Sequence, residues 1–362
     1  MRLFLTLLLS ALIALPALAQ QGATRYIIGF KPGATAAQKD HALDRLGATK
    51  VGTVDELEAA LAEIPEDAKT AALGEGEMEN LVISFIEDDF YTNWLVGAEP
   101  SFQATSLPGW GEIMAAAPRF VKSGLPDSPL PAGVDAAEVP WGIRRVNAPN
   151  AWSGSEGQGV RVAVIDTGID ASHPDLAGQV AGGYNAINRN APYFDDHNHG
   201  THVSGTIAAK RDGKGVVGVA PQARLYAVKV LDKKGGGWVS SIIKGIVWCA
   251  RNDIQVANLS LGSPMGSVFL RLAMKYAASR GVTLVVAAGN SGGSVGYPAA
   301  YDGAIAVAAS DSLDRIADFS SRGRKIAFIA PGVGVKSSIP GEKYASYEGT
   351  SMATPHVAGL AA

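Results

Sequence analysis

A single cysteine in 362 residues excludes an intramolecular disulfide framework. Cys249 sits in a helical pattern with Ile242, Ile243, Ile246, Val247 and Ala250, which predicts a packed thiol rather than a nucleophile. Charge is also scarce. Charged residues make up 18% and the net charge is −3, so no basic face for nucleic acid is indicated. The apolar run Leu3 to Leu15 is shorter than a membrane span, and no cysteine follows it for lipid attachment. No His-Glu-x-x-His helix is present, so a metal hydrolase would have to be built from His197, His199 and His202. Asp-Thr-Gly occurs once, whereas an aspartic protease needs two such carboxylates in an all-β fold.

What the chain has is apolar surface and glycine. A 47% hydrophobic content and 43 glycines suffice for a large core with many tight loops, and the length predicts two or three units. Met1-Arg2, the Leu3 to Leu15 run and Ala17-Leu18-Ala19 form a basic, apolar and small-x-small series. It predicts a signal peptide over 1–19, cleaved after Ala19, and a secreted or periplasmic chain. Residues 23–89 read as a small α+β (βαββαβ) unit. Its strands fall at Tyr26–Phe30, around Val51 and at Leu81–Ile86, and its helices at Ala36–Leu46 and near Asp67–Leu73. A separate small binding domain is the alternative. Residues 90–135, with Pro100, Pro108, Pro118, Pro126, Pro129 and Pro131, read as a Pro/Gly-rich linker. Residues 136–362 alternate strand patterns (Val160–Ile165, Leu225–Val230, Val256–Leu259, Val282–Val286, Ile305–Ala308) with helical ones at Val239–Asn252 and Val268–Arg280. That alternation predicts an α/β layout, with a parallel sheet covered on both faces.

Three chemical groups stand at the rims of these elements. Asp166 ends the buried strand pattern Val160–Ile165, and Asp166-Thr167-Gly168 read alone is an ordinary turn. His199 opens His199-Gly200-Thr201-His202-Val203-Ser204-Gly205, where a loop with Asp195, Asp196 and Asn198 becomes a helix. His202, one turn further in, reads as a packed supporting histidine. Ser351 lies in Gly349-Thr350-Ser351-Met352-Ala353-Thr354-Pro355-His356, a helix start with a proline suited to a first turn. At such a start the free N–H groups and the dipole favour a developing anion. A carboxylate, an imidazole and a hydroxyl so placed are the set that a nucleophilic triad requires.

With Ala288-Gly289-Asn290 added, these motifs make the chain resemble the subtilases, the subtilisin-like serine proteases, from about Val139 onward. The order Asp, His, Asn, Ser is that family's. The resemblance implies a subtilisin-like three-layer α/β fold with a central parallel sheet. It implies Asp166, His199 and Ser351 as the triad and Asn290 as an oxyanion donor. It also implies a main specificity pocket walled by Ser260, Leu261 and Gly262 and by Ala287, Ala288 and Gly289, with Gly296 at its floor. Small walls without a carboxylate predict a broad preference for large apolar residues. Gly235, Gly236 and Gly237 offer a second edge, so an extended peptide would add a strand between the two segments; a flexible loop tip is the alternative there.

By the same resemblance, residues 23–89 correspond to an inhibitory propeptide, making the chain a monomeric, secreted zymogen acting on proteins or peptides. The processing point falls at Tyr91–Leu95 or just before Asp135. Asp175 and Asp212, the latter in the loop Lys210–Gly215, match the positions of a structural calcium site. Ala137 takes the place of one expected ligand, and a solvated loop is the alternative. The helix begun at Ser351 reaches only Ala362, so the chain is expected to be a truncated, poorly stable piece of a subtilase or a non-catalytic relative.

Overall fold

The computed structural model describes residues 24–65, 82–95 and 129–362. It divides into two compact units, Met1–Asp88 and Asp89–Ala362.

In the first unit, β1 (Thr24–Phe30), α1 (Ala36–Arg45), β2 (Thr49–Val54), a 3-10 turn at Asp55–Leu57, β3 (Ala59–Ile64) and β4 (Ile83–Asp88) follow in order. The four strands form an antiparallel sheet in the order β2-β3-β1-β4. Alternate residues Tyr26, Ile28 and Phe30 point to one face, where they pack with Ala60, Ala62, Ile64 and the helical Ala42 and Leu43. Thr35 starts α1 with a reciprocal capping box to Gln38. The strand expected at Leu81–Ile86 runs from Ile83 to Asp88. The helix expected near Asp67–Leu73 and the signal segment 1–19 lie outside the described residues.

The second unit opens with β5 (Tyr91–Asn93), at the head of the stretch read as a linker. Two short helices follow, α2 (Trp141–Arg145) and α3 (Ala148–Ala151). Next come β6 (Arg161–Asp166), β7 (Val180–Asn185), α4 (His199–Ala208), β8 (Arg224–Lys229), β9 (Gly236–Trp238) and α5 (Val239–Arg251). The order continues with β10 (Val256–Leu259), α6 (Val268–Ser279), β11 (Thr283–Ala287), β12 (Ala304–Ser310) and β13 (Ile326–Pro331). The hairpin β14 (Val335–Ile339) and β15 (Lys343–Tyr347) precedes α7 (Thr350–Ala361).

Seven strands form one parallel sheet in the order β13-β12-β11-β10-β6-β8-β7. The protein is therefore α/β with a central parallel sheet. Alternation along the strands divides the core. Val162, Val164, Leu225, Ala227, Val285 and Val307 meet Val203 and Ile207 of α4 and Met352, Ala353 and Val357 of α7. On the opposite face α5 comes so close that a side chain at Gly245 would strike Val230 and crowd Val228. Both faces are buried, which is why the strands read as near-continuous apolar runs.

From β10 the chain proceeds outward through β11, β12 and β13, whereas β8 and the edge strand β7 lie on the other side of β6, so the sheet order reverses between β10 and β6. The loops after them diverge there and leave a crevice at the carboxyl ends of the strands.

Candidate active site

Asp166 is the last residue of β6 and is fully buried. Its Oδ1 accepts the Thr167 N–H at 2.7 Å, which fixes the carboxylate against its own turn. His199, first residue of α4, directs Nδ1 at both carboxylate oxygens, 2.8 Å to Oδ1 and 3.0 Å to Oδ2. The carboxylate requires a proton on Nδ1, so Nε2 is the basic end of the neutral ring. Among the described residues that buried Nε2 has no hydrogen-bond partner.

Two glycines make the close approach of β6 and α4 possible. A Cβ at Gly200 would overlap the Gly168 carbonyl, and one at Gly168 (φ +112°) would overlap the Tyr193 and Phe194 backbone. Asp195, 1% exposed, fastens the two elements together. Its Oδ1 accepts the Thr167 hydroxyl at 2.8 Å and the N–H groups of His197 and Asn198 at 3.0 Å each. Its Oδ2 accepts the Thr201 N–H at 2.8 Å and hydroxyl at 2.6 Å. The Thr167 oxygen in turn accepts the Gly200 N–H at 2.9 Å. Beneath the turn, buried Lys229 donates to the Thr167 carbonyl at 2.5 Å, to Asp196 at 2.6 Å and to the Leu231 carbonyl at 3.1 Å. Neither Asp195 nor Lys229 was singled out as a supporting group from sequence. The available signals were an acidic pair just before the histidine and a lysine ending a buried strand.

His202 is fully buried, and its Nε2 donates toward the Val335 and Ala345 carbonyls while its ring stacks on Tyr347 at 4.5 Å. Burial, and secondarily the nearby His199, push its pKa down to about 3, so it stays neutral. His197 is also lowered, first by burial and then by His199. The three histidines do not converge on one point: His199 faces Asp166 and His202 faces backbone carbonyls. Burial pushes the Cys249 thiol up, as suits a packed cysteine.

Ser351 is the second residue of α7, a position whose N–H has no intrahelical partner. Its Oγ donates to the Ser260 carbonyl at 3.1 Å and makes no hydrogen bond to His199 here. Pro355 lies inside α7 rather than in its first turn, where the sequence placed it. Lacking an N–H, it leaves the Ser351 carbonyl available, and the Ser260 hydroxyl donates to that carbonyl at 2.8 Å. Ser260 thus braces the serine-bearing turn from the end of β10, held itself by Asn258 Nδ2 at 2.9 Å. Asn290 accepts the Thr350 N–H and hydroxyl, both at 2.8 Å, through Oδ1. Because a backbone N–H can only donate, this sets the amide orientation and puts Nδ2 on the Gly349 side.

Ser260, Leu261 and Gly262 follow β10; Ala287 ends the adjacent parallel β11, and Ala288 and Gly289 follow it. Gly296 joins them, its N–H donating to the Ala288 carbonyl at 2.9 Å, while Ser263 and Tyr297 exchange backbone bonds at 2.8 Å. On the other side of the crevice, Gly236–Trp238 pairs antiparallel with Tyr91–Asn93. The Trp94 N–H donates to the Gly235 carbonyl, its carbonyl accepts the Gly262 N–H, and its indole N–H donates to the Gly237 carbonyl at 2.8 Å. The chain's own residues 91–94 therefore bridge the two edges as a strand, where a linker was expected. Val239 N–H meets the Phe90 carbonyl and Asp89 accepts the Ser240 N–H and hydroxyl at 3.0 and 2.8 Å, capping α5.

Asp175 accepts the Val216 N–H and the Tyr344 hydroxyl, both at 3.0 Å. Asp212 lies 3.5 Å from Lys210, and the buried Glu138 accepts the Gly213 N–H at 2.7 Å.

A parallel α/β sheet with a buried Asp–His pair and a helix-start serine at its crevice has the outline of a serine hydrolase. Comparison with known proteins makes this specific. The model of the subtilase family matches residues 157–362. M-protease of Shouchella clausii (strain KSM-K16) is 54% identical over 229 residues, covering 63% of this chain and 60% of that protein. Subtilisin Savinase of Lederbergia lenta is 54% identical over 229 residues, covering 63% and 84%. Subtilisin E of Bacillus subtilis (strain 168) is 51% identical over 234 residues, covering 63% and 61%. The chain thus spans about three fifths of the length of M-protease and of Subtilisin E. It belongs to the subtilase family, the subtilisin-like serine proteases.

Proposed function

We propose that the chain is an endopeptidase that hydrolyses proteins through an acyl-enzyme on Ser351. The observation that carries this reading is the buried His199–Asp166 pair, which leaves Nε2 as the basic, unbonded end of the ring. Ser351 Oγ attacks the peptide carbonyl and His199 Nε2 takes its proton, then returns it to the leaving amine. Asp166 holds the tautomer and stabilises the imidazolium without taking the proton. The oxyanion receives the Ser351 N–H at the positive end of α7 and the Asn290 Nδ2 donor, whose orientation Thr350 sets. Water then attacks the acyl carbonyl with His199 as base, releasing the second product. The Ser351–His199 hydrogen bond forms on substrate binding, when Oγ leaves the Ser260 carbonyl.

The substrate lies as an extended strand between Gly235–Gly237 and Ser260–Gly262, with its large apolar side chain in the pocket of Ala287, Ala288, Gly289 and Gly296. The first unit and the segment through Leu95 act as an inhibitory propeptide, and the support is the strand that residues 91–94 add across the crevice. Export through the 1–19 signal segment and a monomeric mature enzyme complete the reading.

Calcium is the structural ion we assign to the Lys210–Val216 loop. The fit rests on Gly215, where a Cβ would overlap the Asp175 carboxylate, so the loop curves around a hard oxygen donor. Asp175 and Asp212 would hold the ion, which would tie the loop to the segment between β6 and β7. The activity is tested by following hydrolysis of an unfolded protein. Turnover that disappears in Ser351→Ala and in His199→Ala supports the mechanism; turnover that survives either substitution refutes it.

A further inference from the structure

Asp232 lies in the turn before β9, outside every group assigned above, and it is already in place without a partner from a peptide. Its Oδ1 accepts the Lys234 N–H at 2.8 Å and the Gly236 N–H at 3.2 Å. The other oxygen receives the Tyr91 hydroxyl at 2.6 Å. The Tyr91 ring also meets the Trp238 ring edge-on, with centroids 5.5 Å apart at 68°. Gly236 makes room for the phenol, since a Cβ there would overlap the Tyr91 hydroxyl. A charged acceptor, an aromatic wall and a bare backbone position thus converge on one side chain of the docked strand. Tyr91 stands three residues before Trp94, the residue whose carbonyl accepts the Gly262 N–H.

We propose that Asp232, Trp238 and Gly236 form an outlying substrate subsite that selects tyrosine three residues before the residue bonded to Gly262. This rests on the protease reading above. The phenol is favoured over phenylalanine because it donates to a carboxylate whose other oxygen is already satisfied. It is favoured over an acidic residue because like charge would face Asp232. The Tyr91 phenol is held above its ordinary pKa, chiefly by the hydrogen bond to Asp232, so it stays a donor through neutral pH. Asp232 itself is lowered. Burial opposes this, but the bonds from Tyr91, Lys234 and Gly236 outweigh it, which keeps it an anion. The subsite lies at the rim, so it sets preference among peptides rather than catalytic rate.

Two measurements test it. In the full chain carrying Ser351→Ala, amide exchange is followed by mass spectrometry over residues 89–95, with Tyr91→Phe, Asp232→Asn and the pair. Each single change is expected to speed exchange about tenfold, a low-end value for a hydrogen bond to a charged acceptor at a part-exposed site. The pair should add nothing further. Unchanged protection overturns the proposal. With the active chain, quenched peptides spanning residues 89–100 with Tyr or Phe at position 91 are compared by kcat/KM. A preference for Tyr of about tenfold that collapses in Asp232→Asn supports the subsite. Equal turnover of both peptides by the unsubstituted protein overturns it while leaving the protease reading intact. If neither peptide nor an unfolded protein is hydrolysed, the protease reading has failed, and the exchange measurement alone decides the subsite.

Discussion

Replacing Asp195 should damage the active site without touching any group that meets substrate. Its carboxylate, 1% exposed, is the common acceptor for the turn after Asp166 and the start of the His199 helix. In Asp195→Asn one oxygen remains for Thr167, His197 and Asn198, but the new amide group faces the Thr201 N–H, a donor against a donor. The Thr201 hydroxyl can turn to accept instead, so the lasting loss is one buried N–H bond to a charged acceptor. That costs about 1–3 kcal/mol. Against a net stability of roughly 5–15 kcal/mol this is a large share. Asp195→Ala strands three backbone N–H groups and should cost more. The kinetic consequence follows from the same latch. Gly200 reaches Asp195 only through Thr167, so loosening it shifts His199 relative to Asp166. A displacement of about 1 Å is worth roughly 10²-fold in rate. The assay is denaturant unfolding in a Ser351→Ala background, beside kcat and KM of the active protein. The expected outcome is a lower midpoint for Asp195→Asn and a fall confined mainly to kcat. An unchanged midpoint and an unchanged kcat would refute the latch.

Asn290→Ala should lower kcat by about 10²–10³ with KM little changed, the loss known for the oxyanion-hole asparagine of subtilisin. A loss in KM alone would argue that Asn290 merely shapes the crevice. Two buried histidines set an acid-side stability profile. Burial pushes His356 down to about 4, and burial with His199 pushes His202 to about 3, against about 6.5 unfolded. The unfolded chain therefore binds more protons below pH 6.5, and stability falls as pH drops from there toward 4, by up to about 2.7 kcal/mol per pH unit while both sites differ. Denaturant unfolding of the Ser351→Ala protein between pH 4.5 and 8 measures this; a flat profile would contradict neutral burial. For calcium, a hundredfold excess over Kd should add about 2.7 kcal/mol of stability. Asp175→Asn should abolish the difference between calcium and EDTA in thermal melts, and an undiminished calcium shift in that variant would place the ion elsewhere.

Most of the parallel sheet was legible because its strands are buried on both faces and read as apolar runs of β-branched residues. Arg161–Asp166, Val256–Leu259 and Thr283–Ala287 were all visible in this way. The edges were not. Val180–Asn185 carries Gly182 and Gly183 and pairs on one side only, so neither propensity nor alternation marks it. Ile326–Pro331 and the Val335–Tyr347 hairpin likewise show no buried apolar run. Tyr91–Asn93 was read as linker because three residues cannot signal a strand. They become one by pairing with Gly236–Trp238, far along the chain. At the site, the residues carrying motifs stood out by type and order. Asp195, Lys229 and Ser260 as a brace did not, because their importance lies in which distant donors and acceptors they meet. Pro355 was misplaced within its helix for the same reason. Only the structure shows that the carbonyl it leaves unbonded accepts the Ser260 hydroxyl.

The central claim is that Ser351 is a nucleophile activated by His199. It is tested most directly by treating the expressed chain with a fluorophosphonate and measuring its intact mass, beside Ser351→Ala and His199→Ala. One adduct is expected, mapped to Ser351, absent from the serine variant and slowed by orders of magnitude in the histidine variant. A cooperatively folded chain that takes no adduct, or takes it equally in Ser351→Ala, would contradict it.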